Sequence, residues 1–171
     1  EISQMFGELI GLCLAQAWMD QGSPAPFTLA EPGPGRGTLM ADVLRATRAV
    51  PGFHAAAQVV LIEASPTLRG LQRRTLGDHP VRWADGIEAL PEAPLFLIAN
   101  EFFDALPIRQ FTRHAQGWAE TVVGLAEGRL TLGRAPPAPL VALEHRLADT
   151  RPGEIVELCP AAVPIMARIG G

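Results

Sequence analysis

Lysine and tyrosine are missing from this 171-residue chain, asparagine occurs once, at Asn100, and cysteine twice, at Cys13 and Cys159. Each shortage excludes something. No Gly-Lys-Ser/Thr can follow a glycine-rich loop, so a P-loop phosphate cradle is ruled out. Two cysteines cannot build a disulfide framework or a metal cage, and the four histidines show no ligand spacing. No metal is therefore expected, and a reducing compartment is the default. The best strand-like apolar run, Leu95 to Ala99, is far short of the roughly 20 residues that a membrane span needs. Excess positive charge is lacking too: 14 basic residues face 18 acidic ones, which argues against an electrostatic nucleic-acid binder.

What the chain does contain is a large apolar share, 48%, enough for one domain with a sizeable core. All 14 basic residues are Arg, and Ala and Gly and Pro are abundant. These residues have GC-rich codons, so the bias reads as that of a GC-rich bacterial genome; against it the lone Asn100 stands out. Residue 1 is Glu, and a helical pattern starts with no preceding turn. Ile2, Met5, Phe6, Leu9, Ile10 and Cys13 fall on one apolar face, which predicts that this face, Cys13 included, is buried. No signal-peptide pattern is visible. The abrupt start, and a close on Gly170 and Gly171, lead us to expect an internal segment of a longer protein.

The next elements alternate. Short apolar strands are expected at Phe27–Ala30, Val59–Ile62, Val81–Trp83 and Leu95–Ala99. Helices are expected from Thr38, with Leu39, Met40, Val43 and Leu44 buried, and after Ser65-Pro66, a cap followed by a first-turn proline. Near-continuous apolar strands alternating with helices predict an α/β fold with a doubly wound, Rossmann-like parallel sheet. From Ile108 the pattern changes. Ile108–Arg113, Gly117–Leu125 and Arg129–Leu132 are separated by short turns, which predicts an antiparallel β-meander over 108–133. A short helix over Leu140–Leu147, a further strand at Ile155–Leu158 and a last helix from about Pro160 complete the reading.

The chemistry centres on Glu31-Pro-Gly33-Pro-Gly35-Arg-Gly37, which links the first strand to a helix. Glycines here let the backbone turn tightly and let a ligand approach it closely, at a helix N-terminus. Thr38 stands where a dinucleotide fingerprint wants its last Gly, and the next strand-end acid, Glu63, comes 30 positions after Gly33 rather than about 20. A carboxylate at Glu31 disfavours a pyrophosphate and suits the cationic amino group and sulfonium of S-adenosylmethionine. Glu63 can accept hydrogen bonds from two ribose hydroxyls, and Asp85 can bond the adenine amino group beside Trp83 or Ile87. Asn100 suits the methionine end. Ligands of open α/β sheets sit beyond the carboxyl ends of the strands, so Glu31, Glu63, Asp85 and Asn100 are expected in one crevice with Gly33, Gly35 and Gly37. An NAD(P)-dependent oxidoreductase is the weaker alternative.

The segments Glu1-Ile-Ser-Gln-Met-Phe-Gly-Glu8, Glu31–Met40, Glu63-Ala-Ser-Pro66 and Asn100-Glu-Phe-Phe-Asp-Ala-Leu-Pro107 resemble the MidA family of class I S-adenosylmethionine-dependent methyltransferases of bacteria and mitochondria. The resemblance spans nearly the whole chain, although family members are about twice as long. It implies an S-adenosyl-L-methionine cofactor and a protein substrate. The mitochondrial member is a respiratory complex I assembly factor that methylates an arginine of a core subunit. A bacterial cytoplasmic location, or the mitochondrial matrix for a eukaryotic protein, follows from the same resemblance. So does the other class of function, a non-catalytic assembly factor that keeps the fold. For an arginine substrate, carboxylates must hold the guanidinium. Glu101 and Asp104, flanking Phe102 and Phe103, are the candidate catalytic clamp, with Asp104 as a turn residue and the Phe pair as core the competing reading. His54, His79, His114 and His145 read as scattered surface residues.

Overall fold

The computed structural model describes residues 3–170. It divides into two compact units, one running up to Asp104 and taking in the residues from Arg168, the other Ala105–Ala167.

The first unit is the α/β part. Helix α1 covers Gln4–Asp20, strand β1 Phe27–Pro32, α2 Thr38–Ala46, α3 Phe53–Ala56, β2 Ala57–Ile62, α4 Pro66–Leu76, β3 Val81–Ala84 and β4 Leu95–Leu97. The four strands form one parallel sheet in the order β3-β2-β1-β4. Strand β1 is buried throughout, polar Thr28 and Glu31 included, and β2 is buried from Val59, where its run becomes wholly apolar. Phe27, Leu29, Val59, Leu61 and Phe96 turn to one face, where they pack with Trp18, Met40, Val43, Phe53 and Leu76 from the helices. Ala30, Val60, Ile62 and Ala84 turn to the other, with Leu90 and the 3-10 turn at Ile87–Ala89. Arg168 donates a hydrogen bond to the Leu90 carbonyl there. Strand β4 is two residues shorter than expected. Past Leu97 the Ile98 N–H still donates to the Ala30 carbonyl at 2.9 Å, but Ala99 and Asn100 are already loop.

Helix α1 corrects the sequence reading. Its buried residues are Gly7, Gly11, Ala15 and Trp18, and none of Met5, Phe6, Leu9 and Cys13 is among them. Met5 and Leu9 are more than half exposed, Phe6 and Leu12 not much less, and Cys13 is exposed rather than core. The cause is the closeness of α2. A Cβ at Gly11 would lie 2.9 Å from the Val43 Cα and 3.1 Å from its carbonyl oxygen, and one at Gly7 would lie 2.6 Å from the Asp42 Cβ. Periodicity finds the richest stripe of large side chains, but close helix contact selects the stripe of small ones. Ser3 is the helix cap, accepting from the Phe6 N–H at 3.3 Å; Ile2, placed on the apolar face by periodicity, lies outside the described residues.

The second unit is an antiparallel sheet of β5 (Arg109–His114), β6 (Gly117–Ala126), β7 (Arg129–Arg134) and β8 (Ile155–Leu158), in the order β7-β6-β5-β8. The expected meander forms, and β8 joins it on the free side of β5. Its core is small: Phe111, Trp118, Leu143 and Val156, with Leu140 and Leu158 packed against them. The outer half of the β6–β7 hairpin sets Val123 opposite Leu132 and Leu125 opposite Leu130, all four strongly exposed. The segment Val141–Leu147 is 3-10 rather than α-helical, and α5 runs over Ala162–Gly170.

Candidate functional site

The cleft forms where β1 gives way to α2. Glu31 and Pro32 end the strand in buried positions, and the chain then reverses through three glycines. Gly33, Gly35 and Gly37 have φ of 65°, 52° and 80°, the left-handed region that glycine enters without steric cost. Gly35 faces open space, with nothing within 4 Å of where a Cβ would stand. Gly37 then caps α2 without any side-chain hydrogen bond, so the first-turn N–H groups seek partners outside the helix. One of them, the Met40 N–H, pulls the pKa of the Glu31 carboxyl down.

Glu31 is the one charged residue among the buried side chains described, 4% exposed, and its Oε2 has no hydrogen-bond partner. Burial pushes its carboxyl up to about 8, against the opposing pull of the Met40 N–H. Its cleft, about 310 Å³, is lined by Glu31, Gly33, Gly35 and Thr38 from one side and by Asn100 and Glu101 from the other, with Arg36 at the rim. That volume is within the range of small-molecule sites. Five of the nine residues predicted from sequence thus share one cleft.

The others are placed around it. Gly37 turns the chain into α2 and packs on Gln72, whose Cγ would be 3.2 Å from an added Cβ. Glu63 follows β2; its Oε1 accepts from the Ser65 N–H at 2.8 Å and its Oε2 from Gln72 at 3.3 Å. Asp85 follows β3 and is paired with Arg69 at 2.6 Å, its side chain 88% exposed. Asp104 is exposed, in a turn. Neither Glu63, Asp85 nor Asp104 lines the cleft. Glu101 adopts a positive φ of 49°, uncommon for a residue with a side chain. Phe102 rests against Gly33 and meets Phe103 edge to face, ring centres 5.3 Å apart.

Sequence reasoning missed two residues that tie these strand ends together. Gln72 is completely buried in α4. Its Nε2 donates to the Gly35 carbonyl at 2.8 Å as well as to Glu63, and its Oε1 accepts from the Trp83 indole at 2.7 Å. Arg69, one turn earlier, donates to the Glu63 carbonyl at 2.6 Å besides holding Asp85. The signal for Gln72 was present: it sits four residues before the buried Leu76, a polar side chain on the inward stripe of its helix. Trp83, considered above as an adenine platform, is engaged by Gln72 and lies under the Arg73 guanidinium, 4.6 Å from the ring centre. His54 and His79 are half-buried neighbours rather than scattered surface residues, their rings 6.1 Å apart, and His54 bonds Thr47 at 3.0 Å. Burial and His79 lower the His54 pKa. Among the described residues no His, Cys, Asp and Glu group could hold a metal ion, and no helix is long and apolar enough to cross a membrane.

With this geometry in view, comparison with known proteins is direct. A family model described as "Putative S-adenosyl-L-methionine-dependent methyltransferase" matches residues 9–171. The chain is 33% identical to the mitochondrial protein arginine methyltransferase NDUFAF7 of Xenopus tropicalis, over 99% of this chain and 45% of that protein. It is 32% identical to the human protein of the same name, over 99% and 44%. Among solved structures, a COG1565 superfamily member from Burkholderia thailandensis bound to S-adenosyl-homocysteine superposes with a TM-score of 0.79 at 31% identity, over 99% of this chain and 44% of that one. This chain therefore spans just under half the length of the curated relatives it matches. Strand, glycine turn, helix and family match agree, and the chain belongs to the MidA-type family of S-adenosyl-L-methionine-dependent methyltransferases.

Proposed function

We propose that the whole protein of which this chain forms a part is a methyltransferase that binds S-adenosyl-L-methionine in the Glu31 cleft and acts on an arginine side chain of a partner protein. The observation that carries the reading is the turn itself. Three positive-φ glycines open the backbone at a helix N-terminus, directly beside a buried carboxyl with a free oxygen. A cationic ligand favours the ionised form of that carboxyl and gains its charge as a partner, which a pyrophosphate does not. When bound, the cofactor supplies an electrophilic methyl group on a sulfonium.

The chain's own residues bind and orient. Gly33 and Gly35 give close backbone approach, and Asn100 on the far wall offers both a donor and an acceptor to the polar end of the ligand. Glu63 faces the ribose and Asp85 the adenine in this reading, with Gln72 and Arg69 fixing the two strand ends relative to the turn. Gly37 keeps the helix end bare. Glu101 is the foremost candidate to hold a substrate guanidinium, since it lines the cleft. Asp104 is its partner in the clamp, with Phe102 and Phe103 offering aromatic faces between them. The arginine assignment rests on the names of relatives at 32–33% identity. A respiratory complex I subunit as substrate, and the bacterial cytoplasm or mitochondrial matrix as location, rest on the family resemblance.

The test is calorimetry and methyl transfer with the full-length protein. S-adenosylmethionine should bind and NAD should not, and Gly35→Val should reduce binding at least 100-fold because its φ of 52° suits no β-branched residue. Tritiated methyl should pass into arginine of a protein in a lysate, and Glu101→Gln should lower that transfer. NAD binding in place of S-adenosylmethionine would overturn the enzyme class. Intact cofactor binding without any transfer would instead favour a non-catalytic module.

A further inference from the structure

Gln72 is completely buried, so its polar atoms depend on partners inside the protein. The Trp83 indole N–H can only donate, and it meets Oε1 at 2.7 Å. The Gly35 carbonyl and an ionised Glu63 carboxylate can only accept, and they meet Nε2 at 2.8 and 3.3 Å. Turning the amide over would set its oxygen against two acceptors and its N–H groups against the indole N–H. The side chain therefore has one orientation, and its nitrogen is committed to two separate segments, the glycine turn after β1 and the residue that follows β2.

The effect on Glu63 is directional. Its Oε1 accepts from the Ser65 N–H and its Oε2 from Gln72, so the carboxylate is gripped at both oxygens. Each carboxylate oxygen has two acceptor sites. One on each is left, side by side, with no protein partner among the described residues, and Glu63 is half-buried rather than sealed. Two adjacent acceptors match two adjacent hydroxyls. Resting on the cofactor reading above, which sets Glu63 at the ribose, we infer that Gln72 is a positioning residue for cofactor selection: its amide aims the Glu63 carboxylate at a vicinal diol and fixes it relative to the glycine turn. Gln72 itself touches no ligand. Without the amide, Glu63 is held by Ser65 alone, and the hydroxyl that faces Oε2 loses a placed partner. An ionised acid at position 72 cannot replace the amide, since it has no proton to give.

The experiment is titration calorimetry of the full-length protein with S-adenosylhomocysteine and with two analogues that each lack one ribose hydroxyl. The parent should bind each analogue roughly 10- to 100-fold more weakly, the range for one hydrogen bond to a charged group. Gln72→Met keeps the length of the side chain and removes its polar atoms; the penalty for at least one analogue should shrink by about threefold or more. In Glu63→Ala both penalties should nearly vanish, and adding Gln72→Met should not change them further. If Gln72 served packing alone, its loss would weaken all three ligands equally, so unchanged penalties in Gln72→Met would overturn the proposal. Analogues bound by the parent as tightly as S-adenosylhomocysteine would overturn it too. Should Gln72→Met fail to fold, NMR of the isotope-labelled parent decides. The side-chain amide signals of Gln72 should move on binding S-adenosylhomocysteine and move less with the more weakly bound analogue; equal shifts would overturn the proposal. Absence of any binding of S-adenosylhomocysteine would defeat the cofactor reading itself, and this proposal with it.

Discussion

At the scale of single residues, the cleft is governed by what burial does to polar groups. Glu31 has a raised carboxyl, so the folded chain keeps a proton that the unfolded chain has released. Stability therefore falls as pH rises from about 4.5 to about 8. Gln carries no such proton. In the absence of ligand, Glu31→Gln should melt near the parent temperature at pH 5 and clearly above it at pH 8.5, a gain of order a few kcal/mol, measured by thermal unfolding across that range. A variant that melts lower than the parent at pH 8.5 would show that burial does not raise the carboxyl. Gln72 illustrates the opposite case, a buried amide with its donors and acceptor committed to Gly35, Glu63 and Trp83. Glu31 was legible in the sequence because an acid two places before a glycine turn is a local pattern. Gln72 was not read, because its importance lies in contacts 9, 11 and 37 residues away.

At the scale of elements, the parallel strands were readable because a strand buried on both faces leaves an unbroken apolar run, as Val59–Ile62 does. Helix α1 was readable in extent but not in orientation. Two effects of size compete at Gly11. Replacing Gly by Ala in a helix gains about 1 kcal/mol of propensity, but the new methyl would stand 2.9 Å from the backbone of Val43, and overpacking of this kind costs about 1–3 kcal/mol. Backbone cannot swing aside as a side chain tip can. Gly11→Ala should therefore lower the melting temperature, and Gly11→Leu should lower it much further. At the exposed Leu9, Leu9→Ala should change it little. Chemical denaturation of the three variants would check this ordering.

At the scale of the whole chain, the two units differ in the amount of core behind their hydrogen bonds. In the first, fifteen buried residues make one cluster on a single face of the parallel sheet. In the second, four do, and β7 is exposed along its entire length. Local opening is easiest where few apolar contacts must be broken. Amide hydrogen exchange should thus be slowest in β1 and β2, faster in β5, and fastest in β7 and the outer half of β6. Protection of β7 equal to that of β1 would contradict this. The alternating strands and turns of the second unit were visible in sequence, and so was β8. Its pairing partner was not, since β8 meets β5 across a gap of more than 40 residues, and nothing local encodes that register.

The hydrogen-bond chain from Trp83 through Gln72 to the Gly35 carbonyl turns a structural tie into an optical one. An indole N–H bonded to a fixed amide emits according to that bond, and the amide is anchored on the same peptide that a ligand must approach. Filling the cleft should move the emission of Trp83, while Trp18, bonded to the Pro24 carbonyl, should remain silent. A protein carrying Trp83 alone, with Trp18 and Trp118 replaced by Phe, would then report its own occupancy by colour, without any label.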